Sequence, residues 1–189
     1  MTKIAILASH NGSGFDAIHE AIQNNILDAN IALVISNNSN ANILKKAQNH
    51  KIPAYLVNAK SYNNPDERIY KLLLASECDI VFLSGYMKKL PSLLTKQFTI
   101  LNSHPSLLPK YGGTGMYGRL VHEAVINNNE SLSGVSVHIV NEVYDSGQII
   151  LQNSLKIQES ETVESLESKI KNLEKSTIIE AISKFLSTR

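Results

Sequence analysis

Short apolar runs alternate with segments of helical periodicity over the first two thirds of the chain. The apolar runs, which are typical of buried strands, lie at residues 3–9, 31–36, 53–57, 79–83 and 99–102. In the segments between them, apolar residues recur every three or four positions, as on one face of a helix. These segments predict helices at residues 15–26, 41–50, 67–76, 93–97 (a short one) and 117–127. Strands that alternate with helices favour a parallel, doubly wound sheet.

The pattern changes in the last third of the chain. Two alternating segments, residues 134–141 and 148–157, follow each other with only a Tyr-Asp-Ser-Gly turn and its flanks between them. Two strands without an intervening helix predict an antiparallel pair added to the sheet. A cap at residues 160–162 then begins a long final helix. We therefore expect one α/β domain over residues 1–189, with a doubly wound, mostly parallel sheet, an antiparallel strand near the C-terminus and three layers in the order αβα.

Composition narrows the class of protein. The apolar fraction of 43%, the charged fraction of 19% and the net charge of +1 are those of an ordinary globular chain, without the basic balance of a nucleic-acid partner. Cys78 is the only cysteine, which excludes an internal disulfide and a thiolate metal cluster from one chain. No run approaches the roughly 18 apolar residues of a membrane span, and the N-terminal run is too short for a signal peptide. We expect a cytoplasmic protein with no nucleic-acid or membrane partner.

A glycine-rich turn, Asn-Gly-Ser-Gly at residues 11–14, joins the first predicted strand to the first predicted helix. Backbone amides at a helix N-terminus carry partial positive charge, so Gly12, Ser13 and Gly14 are candidates for binding a phosphate. The turn matches neither the dinucleotide-binding fingerprint nor the P-loop. A tight strand-to-helix turn with no ligand explains the same residues, because Gly, Asn and Ser commonly form turns.

The most informative stretch is residues 99–118, where an apolar run ends in Asn-Ser-His-Pro and continues into a loop with four glycines. Residues two apart on an extended backbone point to one face, so Asn102 and His104 should emerge side by side. An amide and an imidazole at the carboxyl end of a strand are typical of a small-molecule site in an open α/β sheet. Together they can donate hydrogen bonds to a developing oxyanion.

Asp145 is a third candidate, although Asp is common in turns for purely local reasons. It becomes functional only if the fold brings it near His104, where its charge would favour the imidazolium and raise the pKa of the histidine. His104, His138 and Asp145 also offer metal-binding residue types. Their separation along the chain, without the short His spacing of zinc sites, argues against a metal triad.

Residues 85–90, Gly-Tyr-Met-Lys-Lys-Leu, follow the fourth predicted strand at the same edge of the sheet. Met87 and Leu90 fit either a pocket for a flat ring or the core, because Met fills irregular gaps anywhere. The remaining histidines are interpreted as surface or turn residues: His10, His19, His50 and His122.

Together, and in this order, these stretches resemble the phosphoribosylglycinamide formyltransferase family of the formyl-folate transferase superfamily. The resemblance is carried by N-G-S at 11–13, L-S-G-Y-M at 83–87, L-N-S-H-P-S-L-L-P-K-Y at 101–111, G-V-S-V-H-I-V at 134–140 and D-S-G at 145–147. It spans nearly the whole chain.

The resemblance implies a role for each matching position. Asn102, His104 and Asp145 match the catalytic trio. The loop that holds the substrate phosphate is matched by Gly12, Ser13 and Gly14, and a carboxylate that contacts the nucleotide is matched by Glu174. Folate contacts are matched by Met87, Lys88, Lys89, Leu90, Asn102 and Arg68.

The implied reaction is direct attack of the amine of glycinamide ribonucleotide on the formyl group of 10-formyltetrahydrofolate, through a tetrahedral intermediate and without a metal. Asn102 and a protonated His104 would bind the oxyanion, and Asp145 would hold the imidazolium and help to relay a proton. The implied partners are these two small molecules, with a monomer or homodimer as the expected assembly.

Several relatives and one other class of protein remain as alternatives. A nucleotide-sugar N-formyltransferase, or another formyl-folate-dependent enzyme, would share the same catalytic residues. A methionyl-tRNA formyltransferase is expected to carry an extra C-terminal domain, and a formyl-folate hydrolase an N-terminal regulatory domain. A catalytically silent nucleotide-binding module would bind phosphate without transferring a formyl group.

Overall fold

The computed structural model describes residues 1–188. The strands among these residues are β1 (Thr2–Ala8), β2 (Ala29–Ser36), β3 (Ala54–Leu56), β4 (Ile80–Leu83), β5 (Ile100–His104), β6 (Leu132–Ile139) and β7 (Ile149–Lys156). The helices are α1 (Ser13–Gln23), α2 (Asn42–Asn49), α3 (Pro65–Ser76), α4 (Ser92–Thr95), α5 (Arg119–Asn127) and α6 (Val163–Ser187). Each strand and helix that the sequence predicts is present.

The described strands belong to one sheet in the order β3-β2-β1-β4-β5-β6-β7. Pairing is parallel between β1 and β2, β1 and β4, and β2 and β3, whereas β6 and β7 run antiparallel. The predicted α/β fold, with a mostly parallel sheet flanked by helices and antiparallel pairing near the C-terminus, is therefore confirmed.

Residue contacts divide the chain into two compact units, Met1–Leu101 and a second unit that begins at Asn102. In the first unit, the central strand β1 is buried along Ile4–Ala8. A parallel strand that is covered on both faces reads as a continuous apolar run, which is why the periodicity identifies it. Helix α1 contributes Phe15 and Ile18, both fully buried, to the same core. The assignment of residues 1–189 to a single domain stays a prediction.

The second unit has its core between the β6–β7 pair and the helices α5 and α6. Its central apolar cluster is formed by Val125, Val135, Leu166 and Ile170. Helix α6 begins as predicted, because the side chain of Thr162 accepts from the amide of Ser165 at 3.2 Å and the Ser165 hydroxyl accepts from the amide of Thr162 at 3.3 Å. This reciprocal capping fixes the start of the helix.

Some element ends differ from the predictions for identifiable backbone reasons. Helix α1 ends before residue 26, because Asn25 has a left-handed φ of +56°. Helix α5 begins at Arg119 rather than residue 117, because Gly118 has a φ of +53°. Strand β5 continues to His104 rather than ending at Asn102.

Candidate active site

Strand β5 ends in Asn102, Ser103 and His104. Because side chains alternate along a strand, Asn102 and His104 share one face and Ser103 points to the other. His104 is 4% exposed, whereas Asn102 is half-buried. The amide and the imidazole are therefore placed side by side as the sequence predicts, but within the strand rather than after it.

Asp145 reaches this face from the loop between β6 and β7. Its Oδ2 lies 3.5 Å from Nδ1 of His104, and its Oδ1 lies 3.5 Å from Nε2 of His138. The amide of Gly113 donates to Oδ2 at 2.9 Å, which ties the glycine loop to the carboxylate. Asp145 has a left-handed φ of +53°, a conformation that Asp tolerates better than most residues. The structure thus brings Asn102, His104 and Asp145 into one cluster.

The proton on His104 can be located from its neighbours. Nε2 lies 2.7 Å from the carbonyl oxygen of Tyr111. A carbonyl can only accept a hydrogen bond, so Nε2 carries a hydrogen and donates it. In the neutral ring, Nδ1 is then the nitrogen that can receive a proton, and it faces Asp145.

Burial lowers the pKa of His104, and it outweighs the opposing effects of the Asp145 charge and the Tyr111 carbonyl. The expectation that Asp145 makes His104 a charged donor at neutral pH is therefore wrong for this arrangement. The protonated imidazole loses more solvation free energy on burial than it gains from the charge of the carboxylate 3.5 Å away.

Burial by itself would raise the pKa of Asp145, but its partners outweigh that effect. The neighbouring His138, the charge of His104 and the Gly113 amide together hold the pKa of Asp145 below its usual range. The carboxylate is thus ionised at neutral pH. It can stabilise a positive charge on His104 as soon as one develops.

His138 belongs to the site, although the sequence suggested it only as a metal ligand. Its Nδ1 lies 3.0 Å from the carbonyl oxygen of Ile139, so this nitrogen carries the hydrogen. Nε2 can then accept from Nδ2 of Asn102, which lies 3.2 Å away. His138 thereby orients the Asn102 amide. Two sequence signals point to His138: the alternation along β6, which places it on the face opposite Val137, and its place in the motif at residues 134–140.

The cluster can perform two chemical tasks. Nδ2 of Asn102 has a second hydrogen besides the one that faces His138, and it can donate to an oxygen that becomes negative. His104 can accept a proton at Nδ1, and the ionised Asp145 can stabilise the resulting imidazolium. A preorganised amide donor beside a proton carrier suits transfer of an acyl-type group.

Glu174 lies on α6 and contacts the opposite face of β5. The hydroxyl of Ser103 donates to Oε1 of Glu174 at 2.6 Å. Burial raises the pKa of Glu174, against the opposing effects of the Ser103 hydrogen bond and the Lys171 charge. Glu174 is thus held by the residue that lies between Asn102 and His104 in sequence.

The glycine-rich turn lies in the first unit, at the start of α1. Gly12 has a φ of +65°, and a Cβ there would lie 2.5 Å from Cδ1 of Ile43, so glycine is required. Ser13 is exposed at the first position of the helix. The amide of Gly14, however, donates to the Ser84 hydroxyl at 2.8 Å. Of the three candidate phosphate contacts, Gly14 already has a structural partner.

Lys46 adds a positive charge beside this turn, which the sequence did not reveal. Its Nζ donates to the carbonyl oxygen of Asn11 at 2.9 Å and pairs with Asp16 in the first turn of α1. Its side chain comes from α2, so only the fold, which brings α2 beside the turn, places it here. A cation at this position supports anion binding at the turn.

The predicted folate loop, residues 87–90, also lies in the first unit. Met87 is 45% exposed, and its amide donates to the Ser9 hydroxyl at 2.8 Å. Lys88 and Lys89 are exposed as well. Leu90 is only 6% exposed and packs in the core, so it anchors the loop. Of the four predicted folate contacts in this loop, Met87, Lys88 and Lys89 are therefore the ones whose side chains are exposed to solvent.

Two further residues, Arg68 and His122, each have a buried nitrogen without a hydrogen-bond partner. Arg68 lies on α3 with its guanidinium 5.6 Å from the centre of the Tyr62 ring, and its Nε is buried without a hydrogen-bond partner. His122 is not a surface residue, because it is 3% exposed. Burial lowers its pKa, and its Nδ1 has no hydrogen-bond partner.

Within the described residues, no group of three or more His, Cys, Asp or Glu side chains is arranged to hold a metal ion. His104, His138 and Asp145 do come together, but as the hydrogen-bonding and charged cluster described above. None of the described helices is both long enough and apolar enough to cross a membrane.

Comparison with known proteins gives a consistent result. The family model described as formyl transferase matches residues 2–182. A phosphoribosylglycinamide formyltransferase from Bacillus subtilis is 34% identical over 179 residues, which cover 92% of this chain and 89% of that protein. A chloroplastic phosphoribosylglycinamide formyltransferase from Vigna unguiculata is 34% identical over 193 residues, covering 99% of this chain. The chain spans 62% of that plant relative's length.

Solved structures agree with the sequence comparison. The crystal structure of glycinamide ribonucleotide transformylase 1 from Symbiobacterium toebii superimposes with a TM-score of 0.91 and 30% sequence identity. The match covers 100% of this chain and 89% of that one. At this identity and coverage, the shared fold includes the strands that carry the candidate site.

Proposed function

This chain belongs to the formyl transferase family, and we propose that it transfers a formyl group from 10-formyltetrahydrofolate to the amino group of glycinamide ribonucleotide. The observation that carries the proposal is the convergence of Asn102, His104 and Asp145 from β5 and the β6–β7 loop. The curated relatives from a bacterium and from a plant chloroplast bear the name of this activity. Both proposed substrates are small molecules. The cytoplasmic location and the assembly as a monomer or homodimer stay predictions.

The proposed reaction begins when the amine nitrogen forms a bond to the formyl carbon and the carbonyl electron pair moves onto oxygen. The second hydrogen on Nδ2 of Asn102 binds this oxyanion, while His138 keeps the amide in the required orientation. His104 is neutral beforehand and takes the proton that the attacking nitrogen loses. The intermediate collapses when the bond from the formyl carbon to N10 of the folate breaks, and His104 returns its proton to N10.

Asp145 makes this proton transfer feasible in a buried site. When His104 accepts a proton, its positive charge lies beside a carboxylate that is already ionised. The attraction between these two charges offsets part of the desolvation cost that keeps the pKa of His104 low. We therefore assign Asn102, His104 and Asp145 the catalytic roles, with His138 as a positioning residue.

The two substrates are assigned to separate groups of residues. Gly12 and Ser13 at the start of α1, with Lys46 nearby, are proposed to bind the phosphate of the nucleotide, and Gly14 supports the turn through Ser84. Glu174 is proposed to accept a hydrogen bond, through a carboxyl oxygen, from a ribose hydroxyl of the nucleotide.

For the folate, Met87, Lys88 and Lys89 are proposed as contacts, with Leu90 anchoring their loop in the core. Asn102, beside the reacting formyl group, is another proposed contact to the folate. The contact between Arg68 and the folate stays a prediction.

The proposal predicts formyl transfer by the purified protein when 10-formyltetrahydrofolate is supplied with glycinamide ribonucleotide. Release of tetrahydrofolate, followed spectrophotometrically, should depend on both substrates. A parallel reaction with an amino-sugar nucleotide should release far less. Equal or greater release with the sugar nucleotide would replace the proposed acceptor, and phosphate-dependent binding without any release would rule out the enzyme.

A further inference from the structure

Ser103 is the residue of the Asn-Ser-His segment that the proposed chemistry does not use. Its side chain points away from Asn102 and His104, because neighbouring residues on a strand alternate in direction. Its hydroxyl donates a 2.6 Å hydrogen bond to Oε1 of Glu174 on α6. We propose that Ser103 is a positioning residue for the nucleotide acceptor: it fixes the Glu174 carboxylate so that Oε2 is presented to a substrate hydroxyl.

The geometry gives a reason why this carboxylate needs an anchor. A glutamate side chain has three rotatable bonds, and a ligand that orders it must offset the lost rotamer freedom. The Ser103 hydroxyl has only one rotatable bond from a buried strand, so it orders Oε1 before substrate arrives. A hydrogen bond to a charged oxygen is also shorter and stronger than a neutral one. The 2.6 Å separation is in the range expected for such a bond.

The surroundings of Glu174 agree with a carboxylate that is held for binding. Burial works against its charge, while Ser103 on β5 and Lys171 on α6 favour the ionised form. Lys171 lies three residues earlier on the helix, on the same side, and pairs with Glu167 at 2.6 Å. Ser103 is therefore the neutral donor that supports Glu174 from outside its own helix.

This inference rests on the proposed function, because it assumes that Glu174 contacts the nucleotide. It predicts a particular kinetic signature for Ser103→Ala. The KM for glycinamide ribonucleotide should rise about tenfold, the scale of losing one hydrogen bond to a charged group. The kcat at saturating substrate and the KM for 10-formyltetrahydrofolate should each stay within about twofold. Ser103→Thr retains the hydroxyl and should restore most of the affinity.

A matched control separates this role from a general effect on stability. Ser133→Ala makes the same change at a buried serine on β6 whose hydroxyl has no hydrogen-bond partner. Its KM values should equal those of the wild type. A Ser103→Ala protein that loses affinity only in proportion to a fall in the amount of folded protein would overturn the inference.

A double-mutant cycle tests whether Ser103 acts through Glu174. Glu174→Gln removes the charged acceptor, so adding Ser103→Ala to it should raise the KM for the nucleotide by less than about twofold. Additive losses would show that Ser103 acts independently and would overturn the inference. Wild-type protein that neither binds nor formylates the nucleotide would overturn the proposed function itself, and the inference with it. An active wild type with an unchanged Ser103→Ala variant would overturn the inference alone.

Discussion

Asn102 and His104 are the side chains whose loss should affect turnover most directly. Removing one preorganised oxyanion donor lowers turnover by a factor of about 10²–10³, so the kcat of Asn102→Ala should fall by that factor. The kcat of His104→Ala should fall at least as far, because this change removes the residue that carries the proton. Both proteins should fold, since each change shortens a side chain at the edge of the core.

Steady-state assays with glycinamide ribonucleotide, together with thermal unfolding, check this prediction. Asn30→Ala and His50→Ala remove the same residue types at exposed positions and serve as controls. Near-normal turnover in either active-site variant would contradict the proposed mechanism.

The protonation of His104 shows what residue-level reasoning from sequence misses. The sequence correctly predicts that Asn102 and His104 share a face, because strand alternation is a local property. The pKa of His104 depends instead on how much water the folded protein removes, and burial is the dominant effect. The sequence revealed the carboxylate but not the burial, so it predicted a raised pKa for His104 where the folded protein lowers it.

His138 was missed as a positioning residue for a related reason. Its contact with Asn102 joins residues 36 positions apart, and no local pattern encodes that contact. Its buried position at the end of β6 is typical of an ordinary core histidine. Only the meeting of β6, β5 and the Asp145 loop gives it a role.

At the scale of elements, the pairing of β6 with β7 leaves no room for a side chain at Gly134. A Cβ at Gly134 would lie 2.2 Å from the carbonyl oxygen of Asn153 and 2.6 Å from Cδ2 of Leu107. The carbonyl belongs to the paired backbone and cannot move without separating the strands. Gly134→Ala should therefore reduce the free energy of unfolding by about 3 kcal/mol, the upper end for overpacking.

Urea denaturation measures this loss, and Gly115→Ala is the matched control. Gly115 has a φ of +86° but no atom within 4 Å of an added Cβ. Its substitution should cost only about 1 kcal/mol of backbone strain. Equal losses in the two variants would contradict a steric role for Gly134.

Element boundaries were predictable only where caps and turns are local. Helix α6 begins at Val163, directly after the predicted cap at residues 160–162. Strand β5 instead runs two residues further than its apolar run. Polar residues such as Asn102 and Ser103 remain in the strand because their side chains have partners from other elements.

At the scale of the whole molecule, buried and half-buried histidines make stability depend on pH. Burial lowers the pKa of His19, His104 and His122 below the ordinary value of 6.5. The unfolded chain then takes up protons at a higher pH than the folded protein does. The stability that these groups contribute is present above pH 6.5 and is lost as the pH falls from there towards their lowered pKa values.

The free energy of unfolding should therefore be smaller at about pH 5.5 than at about pH 7.5. The pKa of Glu174, which burial raises, has the opposite effect. Between pH 4.5 and that raised pKa, the free energy of unfolding falls as the pH rises. His122→Leu removes the buried imidazole and its unpartnered Nδ1, so it should flatten the pH dependence. Urea denaturation of both proteins at the two pH values checks this, and an unchanged slope in His122→Leu would refute it.

Hydrophobic periodicity, turn residues and the positions of the motifs determined the α/β class, the order of the elements and the residue pair at the end of β5. These features are encoded locally, in spacings of two to four residues and in the caps of helices. The tertiary structure alone decided that Asp145 meets both histidines, that Ser84 holds Gly14, that Leu90 is core and that Ser103 holds Glu174. Each of these contacts joins distant parts of the chain, and each depends on burial and distance, which exist only once the strands and helices have packed together.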